Sequence, residues 1–181
     1  MKILGVDHAT HHAGIALFES DWMNNDTDLA FVTFSAIDLS KCDESPMSAM
    51  FQIVKLWIFD HRPDVVALEK PMALRNGDVA RKLIEVYAAC KLAAEQSNVS
   101  VMELAPQLGK LHTIGHAGAE KEDVARALQA RFDLDYDSIA IPVYYKDKKR
   151  KGQVRERLYD VSDACALCVA AAEIKAREVA G

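Results

Sequence analysis

The order of apolar and polar segments along the chain predicts a mixed sheet. Short apolar runs typical of buried strands occur at 2–7, 14–19 and 29–39, and polar linkers between them favour an antiparallel three-strand meander. Two further apolar runs follow at 64–69 and 100–104. A helical pattern precedes each of these later runs, and a helix between two strands implies a crossover and parallel pairing.

Apolar residues also recur at helical spacing. Four helices are predicted, at 47–59, 78–96, 122–132 and from 160 to about 177. Ser45 is suited to cap the first of them, with Pro46 in its first turn, and Asn76 is suited to cap the second. Residues 105–121 are predicted to be a loop, and 133–148 an irregular segment whose IAIPVYY sequence is compatible with an edge ribbon.

This order predicts one α/β domain spanning residues 1–181: a mixed five-stranded sheet, made of a three-strand meander and two parallel strands, flanked by helices. The N-terminus lacks the pattern of a signal peptide. The longest apolar run, 164–172, has nine residues, whereas a membrane span needs ~18, so no membrane association is expected.

Cysteine usage indicates a reducing, cytoplasmic setting, because the four cysteines form no obvious disulfide framework. Cys165 and Cys168 make a C-x-x-C pair, but the pair lies within an apolar helical run and no second pair accompanies it. Buried core thiols are therefore expected in preference to a zinc or redox site.

Four carboxylates lie where the predicted fold would bring them together. Asp7 ends the first strand and Glu69 ends the fourth. If these strands are parallel neighbours, both acids share one rim of the sheet, where the sites of open α/β folds usually lie. Asp160 and Asp163, three residues apart, project from one face of the last helix. They suit a helix cap, and the same helix packed on the sheet would bring them to this rim.

Clustered carboxylates repel one another unless a cation lies between them. Ligand sets made of oxygen favour hard divalent ions, Mg²⁺ or Mn²⁺. Two such ions ~3.5–4 Å apart can activate a water and stabilise the leaving oxygen of a phosphodiester. The four acids therefore point to metal-dependent phosphodiester hydrolysis without a covalent intermediate.

Charge is distributed unevenly. The chain has a net charge of −5, yet residues 146–157 hold seven basic and two acidic side chains, a local charge of +5, which leaves −10 on the remainder. Such a segment on an acidic body is a candidate phosphate contact, and the alternative is a solvated flexible loop. Its centre, proposed to bind DNA, consists of Lys148, Lys149, Arg150 and Lys151.

Four segments, taken in order, resemble the RuvC-type Holliday-junction resolvases of the RNase H-like superfamily. LGVDHATHHAGIAL is similar to the opening strand and turn of that family, and DVVALEKPMALRNGDVARKL to its second motif, with a catalytic Glu and an Asn seven residues on. Residues 104–124 resemble its Pro…Lys…Gly…Lys loop, and YDVSDACALCVAAA its closing Asp-x-x-Asp-Ala motif.

The resemblance implies an RNase H-like fold, a homodimer, and paired Mg²⁺-dependent nicks in four-way DNA junctions, with a role in recombination and repair. Carried over by position, the catalytic residues and metal ligands, with two ions per site, would be Asp7, Glu69, Asp160 and Asp163. The positions implied to contact DNA are Lys110, Lys121, Met72 and Asn76. The equivalent helix of the family contributes to the dimer, which points to Val79, Leu83 and Tyr87.

The chain departs from the family pattern at three places. The turn His8-Ala9-Thr10 lacks the family's Pro and Gly, although Gly14 is retained, and Met72 replaces an aromatic residue thought to wedge into the junction. Segment 133–157 is longer than usual and includes the basic run. These departures bear on substrate preference more than on the chemistry.

The histidines admit more than one interpretation. His8, His11 and His12 are expected to form a polar turn or a phosphate contact in preference to a third metal ligand. His112 and His116 flank the lysine loop and are candidate phosphate contacts.

Three other functions are compatible with parts of the pattern. An RNase H-like nuclease acting on RNA or on other branched DNA, such as forks and flaps, would use the same acids. An actin-like ATPase domain shares the opening hairpin, but it needs a second lobe for which this chain has no room. A non-catalytic protein that binds DNA structures is disfavoured, because all four acids are present.

Overall fold

The computed structural model describes residues 1–20, 29–71, 77–147 and 149–180. Its main sheet contains β1 (Lys2–Asp7), β2 (His12–Ser20), β3 (Leu29–Asp38), β4 (Val65–Glu69) and β5 (Ser100–Leu104). The strand order is β3-β2-β1-β4-β5, with β1 to β3 antiparallel and β4 and β5 parallel to β1. The predicted fold class, a three-strand meander with two parallel strands and flanking helices, is confirmed.

Six α-helices flank this sheet in the described part of the chain: α1 (Pro46–His61), α2 (Gly77–Gln96), α3 (Leu108–Ile114), α4 (Lys121–Phe132), α5 (Tyr136–Ile139) and α6 (Asp160–Ala180). The predicted start of α1 is confirmed, because the Ser45 hydroxyl accepts a hydrogen bond from the Ser48 N–H at 3.2 Å. The helix ends at His61, and the residue that caps it, Arg62, has a left-handed φ of 50°. The predicted cap of α2, Asn76, lies outside the described residues.

Two predicted irregular regions contain regular structure. The segment 105–121, predicted to be a loop, includes helix α3. The helix was not predicted because glycine is a strong loop signal and this segment contains several glycines. The expected irregular segment at 133–148 contains α5 and strand β6 (Ile141–Tyr144), which pairs with β7 (Val154–Leu158) in a separate two-stranded sheet. We call this unit, residues 141–158, the β6–β7 hairpin; it includes the basic run.

Alternating strand residues form two cores, one on each face of the sheet. Ile3 and Phe18 pack with α4 and α6, whereas Leu4 and Leu17 pack with α1 and α2. The free thiols of Cys165 and Cys168 are buried in the first of these cores, so the expectation of core thiols is confirmed. Within the described residues, none of the helices combines the length and apolar character that a membrane span needs.

Helix α6 lies unusually close to the sheet because glycines face it. A Cβ at Gly5 would be 2.2 Å from the Ala164 carbonyl oxygen, and one at Gly14 would be 1.9 Å from the carbonyl oxygen of Asp160. Neither separation is compatible with a side chain. These two glycines therefore allow the N-terminus of α6 to lie directly on β1 and β2.

Candidate active site

The structure brings the four acids together at one rim of the sheet. Val6 pairs with Leu68, so the residues that follow them, Asp7 of β1 and Glu69 of β4, end neighbouring parallel strands. Asp160 and Asp163 lie in the first turn of α6, which Gly14 seats on β2. Electrostatic interactions link Asp7 to each of the other three acids.

The residue that caps α6 is Tyr159, one residue before the predicted cap, Asp160. The carbonyl of Tyr159 accepts the Asp163 N–H at 2.8 Å, which is the bond that a helix-capping residue accepts, and Asp160 is the first residue of α6. Both acids nevertheless lie near the positive end of the helix dipole, as expected.

A cleft of about 190 Å³ opens between these acids and α3 and α4. Asp7, Glu69 and Asp163 contribute carboxylates to its wall, and Lys110 and Lys121 contribute ammonium groups. The wall thus places carboxylates next to two cations. Both lysines singled out in the sequence lie where a substrate in the cleft would meet them.

Three of these acids have raised pKa values, because their negative charge is unfavourable at this site. Burial raises the pKa of Asp7 well above its usual range, and the charges of Asp163 and Asp160 raise it further. Burial, followed by the charge of Asp163, raises the pKa of Glu69, and burial also raises that of Asp160. Such a site favours the binding of a cation, because a cation offsets both burial and repulsion.

Lys121 provides part of that compensation. Its ammonium donates a hydrogen bond to Oδ2 of Asp163 and interacts with Asp7 and Asp160. Burial alone would lower the pKa of Lys121, but the neighbouring carboxylates outweigh it and the pKa lies above its usual value. Lys110 is tethered differently, since its Nζ donates to the Ala119 carbonyl oxygen at 2.6 Å.

The chemistry of the donor set fits a hard divalent cation, because every candidate ligand is a carboxylate oxygen. In the ranges that the structure describes, no three His, Cys, Asp or Glu side chains are already arranged around a common ion position. Asp163 is instead paired with Lys121. Lys121 engages Oδ2 of Asp163, so a metal that bound through this oxygen would displace the ammonium.

The other predicted DNA contacts are only partly described. Met72, Asn76 and Lys148 lie outside the described residues. Lys149, Arg150 and Lys151 are exposed at the turn of the β6–β7 hairpin.

Two of the candidate histidines, His8 and His112, have buried side chains, which disfavours the phosphate contacts considered for them. His8 is 6% exposed, and burial lowers its pKa to about 4. Its ring lies 5.3 Å from that of Tyr87 in α2, and neither ring nitrogen has a hydrogen-bond partner within the described chain. The His112 side chain is 7% exposed, with Nδ1 2.8 Å from Oε2 of Glu173. Tyr87 of α2 covers the His8 ring, and Glu173 of α6 binds the His112 ring.

The remaining histidines stay at the surface. His11 is exposed and its Nδ1 lies 2.9 Å from the Thr10 hydroxyl, whereas Nδ1 of His12 lies 3.9 Å from Asp38. His116 is exposed in the segment between α3 and α4.

One part of the cleft wall was not predicted from the sequence. Gly109 of α3 lines the cleft and lies against α6, where an added Cβ would be 3.3 Å from the Cβ of Ala166. The apolar residues of α3 at helical spacing, Leu108 and Leu111, were the available signal, but the flanking glycines outweighed them.

Comparison with known proteins agrees with this fold. A family model described as crossover junction endodeoxyribonuclease RuvC matches residues 3–142. A RuvC of Koribacter versatilis is 30% identical over 133 residues, which cover 72% of this chain and 78% of that protein. A RuvC of Cytophaga hutchinsonii is 32% identical over 128 residues, 70% of this chain but 62% of that longer protein.

Solved structures show the same fold at lower identity. Thermus thermophilus RuvC in complex with a Holliday junction substrate has a TM-score of 0.76 and 19% identity, with 98% of this chain and 96% of that chain covered. Fowlpox virus resolvase in complex with Holliday junction DNA has a TM-score of 0.60 and 18% identity, with 97% and 99% covered.

Proposed function

The chain belongs to the RuvC family of crossover junction endodeoxyribonucleases, and on that premise we propose that it resolves four-way DNA junctions in recombination and repair. It would hydrolyse phosphodiester bonds by paired nicks. The observation that carries this proposal is the meeting of four carboxylates at one rim, beside a cleft with two lysines. The four free cysteines agree with a reducing, cytoplasmic setting.

RuvC-like resolvases are metal-dependent nucleases, and the ligands in this chain would be Asp7, Glu69, Asp160 and Asp163. We propose Mg²⁺, with Mn²⁺ as a substitute, and two ions per site. When bound, such ions supply an activated water and stabilise the leaving oxygen of the phosphodiester. The raised pKa values of Asp7, Glu69 and Asp160 support this assignment, since all three carboxylates lack sufficient positive charge around them.

The lysines would hold the DNA backbone. If Asp163 bound a metal through Oδ2, Lys121 would leave this ion pair, and its ammonium would be available to a phosphate oxygen in the cleft. Lys110 lines the same cleft and needs only to exchange the Ala119 carbonyl for a phosphate oxygen. Met72 and Asn76 would contact bases or backbone at the junction centre.

Paired cutting of opposed strands requires two sites, which a two-fold homodimer supplies. Helix α2 would form its interface through Val79, Leu83 and Tyr87. The Val79 side chain is 47% exposed, and that of Ile84, further along the same helix, is 51% exposed. Apolar side chains at this exposure on one helix are compatible with burial against a second copy.

The proposal is tested by nicking assays on a four-way junction, a fork, a linear duplex and an RNA–DNA hybrid, each with Mg²⁺ and with Mn²⁺. The wild-type chain should cut the junction in preference to the others. Asp7→Asn and Glu69→Gln should abolish nicking and retain junction binding, whereas Asp60→Asn, an exposed acid of α1, should behave as wild type.

Other outcomes would point elsewhere. Preferential cutting of the hybrid or the fork would replace junction resolution by an RNA-directed or fork-directed activity. Wild-type rates in either active-site variant would contradict the assigned ligands.

A further inference from the structure

The β6–β7 hairpin connects a basic surface directly to the acid cluster. Strand β7 ends at Leu158, two residues before Asp160, so the hairpin and the first turn of α6 are continuous in the chain. The family match ends at residue 142, so nearly all of the hairpin lies beyond it.

The base of the hairpin is fixed to the protein body. Nη1 of Arg157 donates to the Ala140 carbonyl oxygen at 2.6 Å and to Oδ1 of Asp137 at 2.7 Å. The guanidinium of Arg157 lies 4.8 Å from the ring centre of Tyr136, and that of Arg126 lies 4.9 Å from the same ring. These contacts set the direction in which the hairpin leaves the active-site rim.

The turn of the hairpin also has a defined conformation. Asp147 accepts hydrogen bonds from the backbone N–H of Arg150 at 3.0 Å and from its Nε at 2.9 Å. The Arg150 guanidinium lies 3.8 Å from the ring centre of Tyr145, and Gly152 adopts a φ of 89°. This organisation disfavours the alternative of a solvated flexible loop.

Part of the positive charge is compensated within the hairpin and part is not. Arg150 pairs with Asp147, Arg155 with Glu156, and Arg157 with Asp137. Lys146, Lys149 and Lys151 are exposed, and in the described ranges none of them takes part in an ion pair or hydrogen bond. Three uncompensated ammonium groups on one projection form a surface for a polyanion.

The reach of the hairpin identifies which part of a polyanion it meets. Five residues of β7 span about 16 Å at ~3.3 Å per residue, so the turn lies roughly 15–20 Å from Asp160. Phosphates repeat every ~3.4 Å along one DNA strand, so this distance corresponds to about five base pairs from the cut. A regular array of phosphates at this distance exists in a duplex arm.

We propose that the β6–β7 hairpin contacts a duplex DNA arm about five base pairs from the scissile bond. This inference rests on the proposed junction-cleaving function and adds a binding surface outside the catalytic cleft. Lys146, Lys149 and Lys151 bind backbone phosphates without reading bases, because an ammonium on a flexible stem acts as a point charge. Arms too short to reach the turn do not benefit from it.

The experiment measures binding of the full chain carrying Asp7→Asn, which prevents cutting. Labelled four-way junctions have arms of either about 15 or about 3 base pairs, the short arms closed by stable loops so that they end before the turn. The test variant carries Lys146→Gln, Lys149→Gln and Lys151→Gln. The matched control carries Lys2→Gln, Lys55→Gln and Lys175→Gln, removing equal charge away from the rim.

On long arms the test variant should bind at least ~10-fold more weakly at ~0.1 M salt, and the slope of log K against log salt should flatten by about 2–3. On short arms it should bind within about twofold of the Asp7→Asn parent, as the control should on both substrates. Equal weakening on both arm lengths, or no weakening, would overturn the hairpin proposal and leave the proposed function standing. Failure of the parent to prefer a four-way junction over linear duplex would overturn the proposed function and the arm assignment together.

Discussion

At the residue scale, the site depends on carboxylates placed where their own charge is unfavourable. Asp7 and Glu69 were predictable because each ends an apolar run, and the topology of neighbouring parallel strands then fixes their meeting. The partner of Lys121 was not predictable, since it depends on how α4 lies against α6. The burial of His8 was hidden for a similar reason, because Tyr87 covers it from a helix distant in sequence.

The Asp7→Asn variant should be more stable than the wild type when divalent cations are absent. Folding raises the pKa of Asp7, so the wild type loses stability as the pH rises through the unfolded value near ~4 towards the higher folded value. Asparagine cannot ionise and avoids this loss. At pH 7 with a chelator, the variant should therefore unfold at a higher temperature than the wild type.

Thermal melts at several pH values check this prediction. The difference between the two proteins should vanish below about pH 4, where Asp7 is protonated in both the folded and the unfolded chain. Added Mg²⁺ should raise the Tm of the wild type more than that of the variant. A variant less stable than the wild type at pH 7 with chelator would contradict the electrostatic argument.

At the element scale, α6 determines the site because it carries two of the acids and packs on both the sheet and α3. Its apolar run made it the most predictable helix, and its buried face agrees with that pattern. The close distance between α6 and the sheet was not predictable, since it depends on Gly5 and Gly14, which lie on two different strands. Helix α3 was missed because Gly109 signals a loop in the sequence but allows close packing in the structure.

Gly14→Ala should displace the N-terminus of α6. The added methyl would lie 1.9 Å from the Asp160 carbonyl oxygen, which is backbone and cannot move without moving the helix. We expect a destabilisation of about 2–3 kcal/mol or more and a loss of nicking greater than ~10-fold, because Asp160 and Asp163 shift together. Gly77→Ala, where no atom lies within 4 Å, is the matched control and should be neutral or slightly stabilising. Normal stability and nicking in Gly14→Ala would refute the close seating of α6.

Glu173 of α6 should be a stability determinant for α3. Its carboxylate lies 2.8 Å from Nδ1 of the buried His112 and 3.6 Å from Nη1 of Arg131. Glu173→Ala leaves the imidazole without this partner, which should cost about 1–3 kcal/mol, measured by denaturant unfolding. Glu173→Gln should restore part of the loss, since its amide oxygen can still accept a hydrogen bond.

Glu178→Ala serves as the control for this change. Glu178 pairs with Lys175 at the exposed end of α6, and an exposed pair contributes less than about 1 kcal/mol. Equal effects of Glu173→Ala and Glu178→Ala would mean that the buried histidine does not depend on its partner.

At the scale of the whole molecule, the topology was accessible from the sequence because apolar runs and crossover rules leave few arrangements of five strands. The β6–β7 hairpin was only partly accessible, since its charges mask the strand pattern and its ordering depends on Arg157, Tyr136 and Asp137. The homodimer could be predicted only from the family resemblance, because an exposed apolar helix face does not by itself identify its partner.

The chain should form a dimer at micromolar concentration through α2, with a scattering mass close to twice 20.0 kDa. A stable interface of this kind needs about 800 Å² per partner, which requires a helix face with several apolar side chains. Leu83→Asp, at the centre of the proposed face, should shift the mass towards that of one chain and abolish paired nicking. Leu56→Asp on α1, where the side chain is 58% exposed, should leave the dimer intact. A wild-type monomer that still cuts junctions symmetrically would contradict the proposed two-fold mechanism. The two opposed cuts would then come from one site acting twice, and the catalytic role of the four acids would be unaffected.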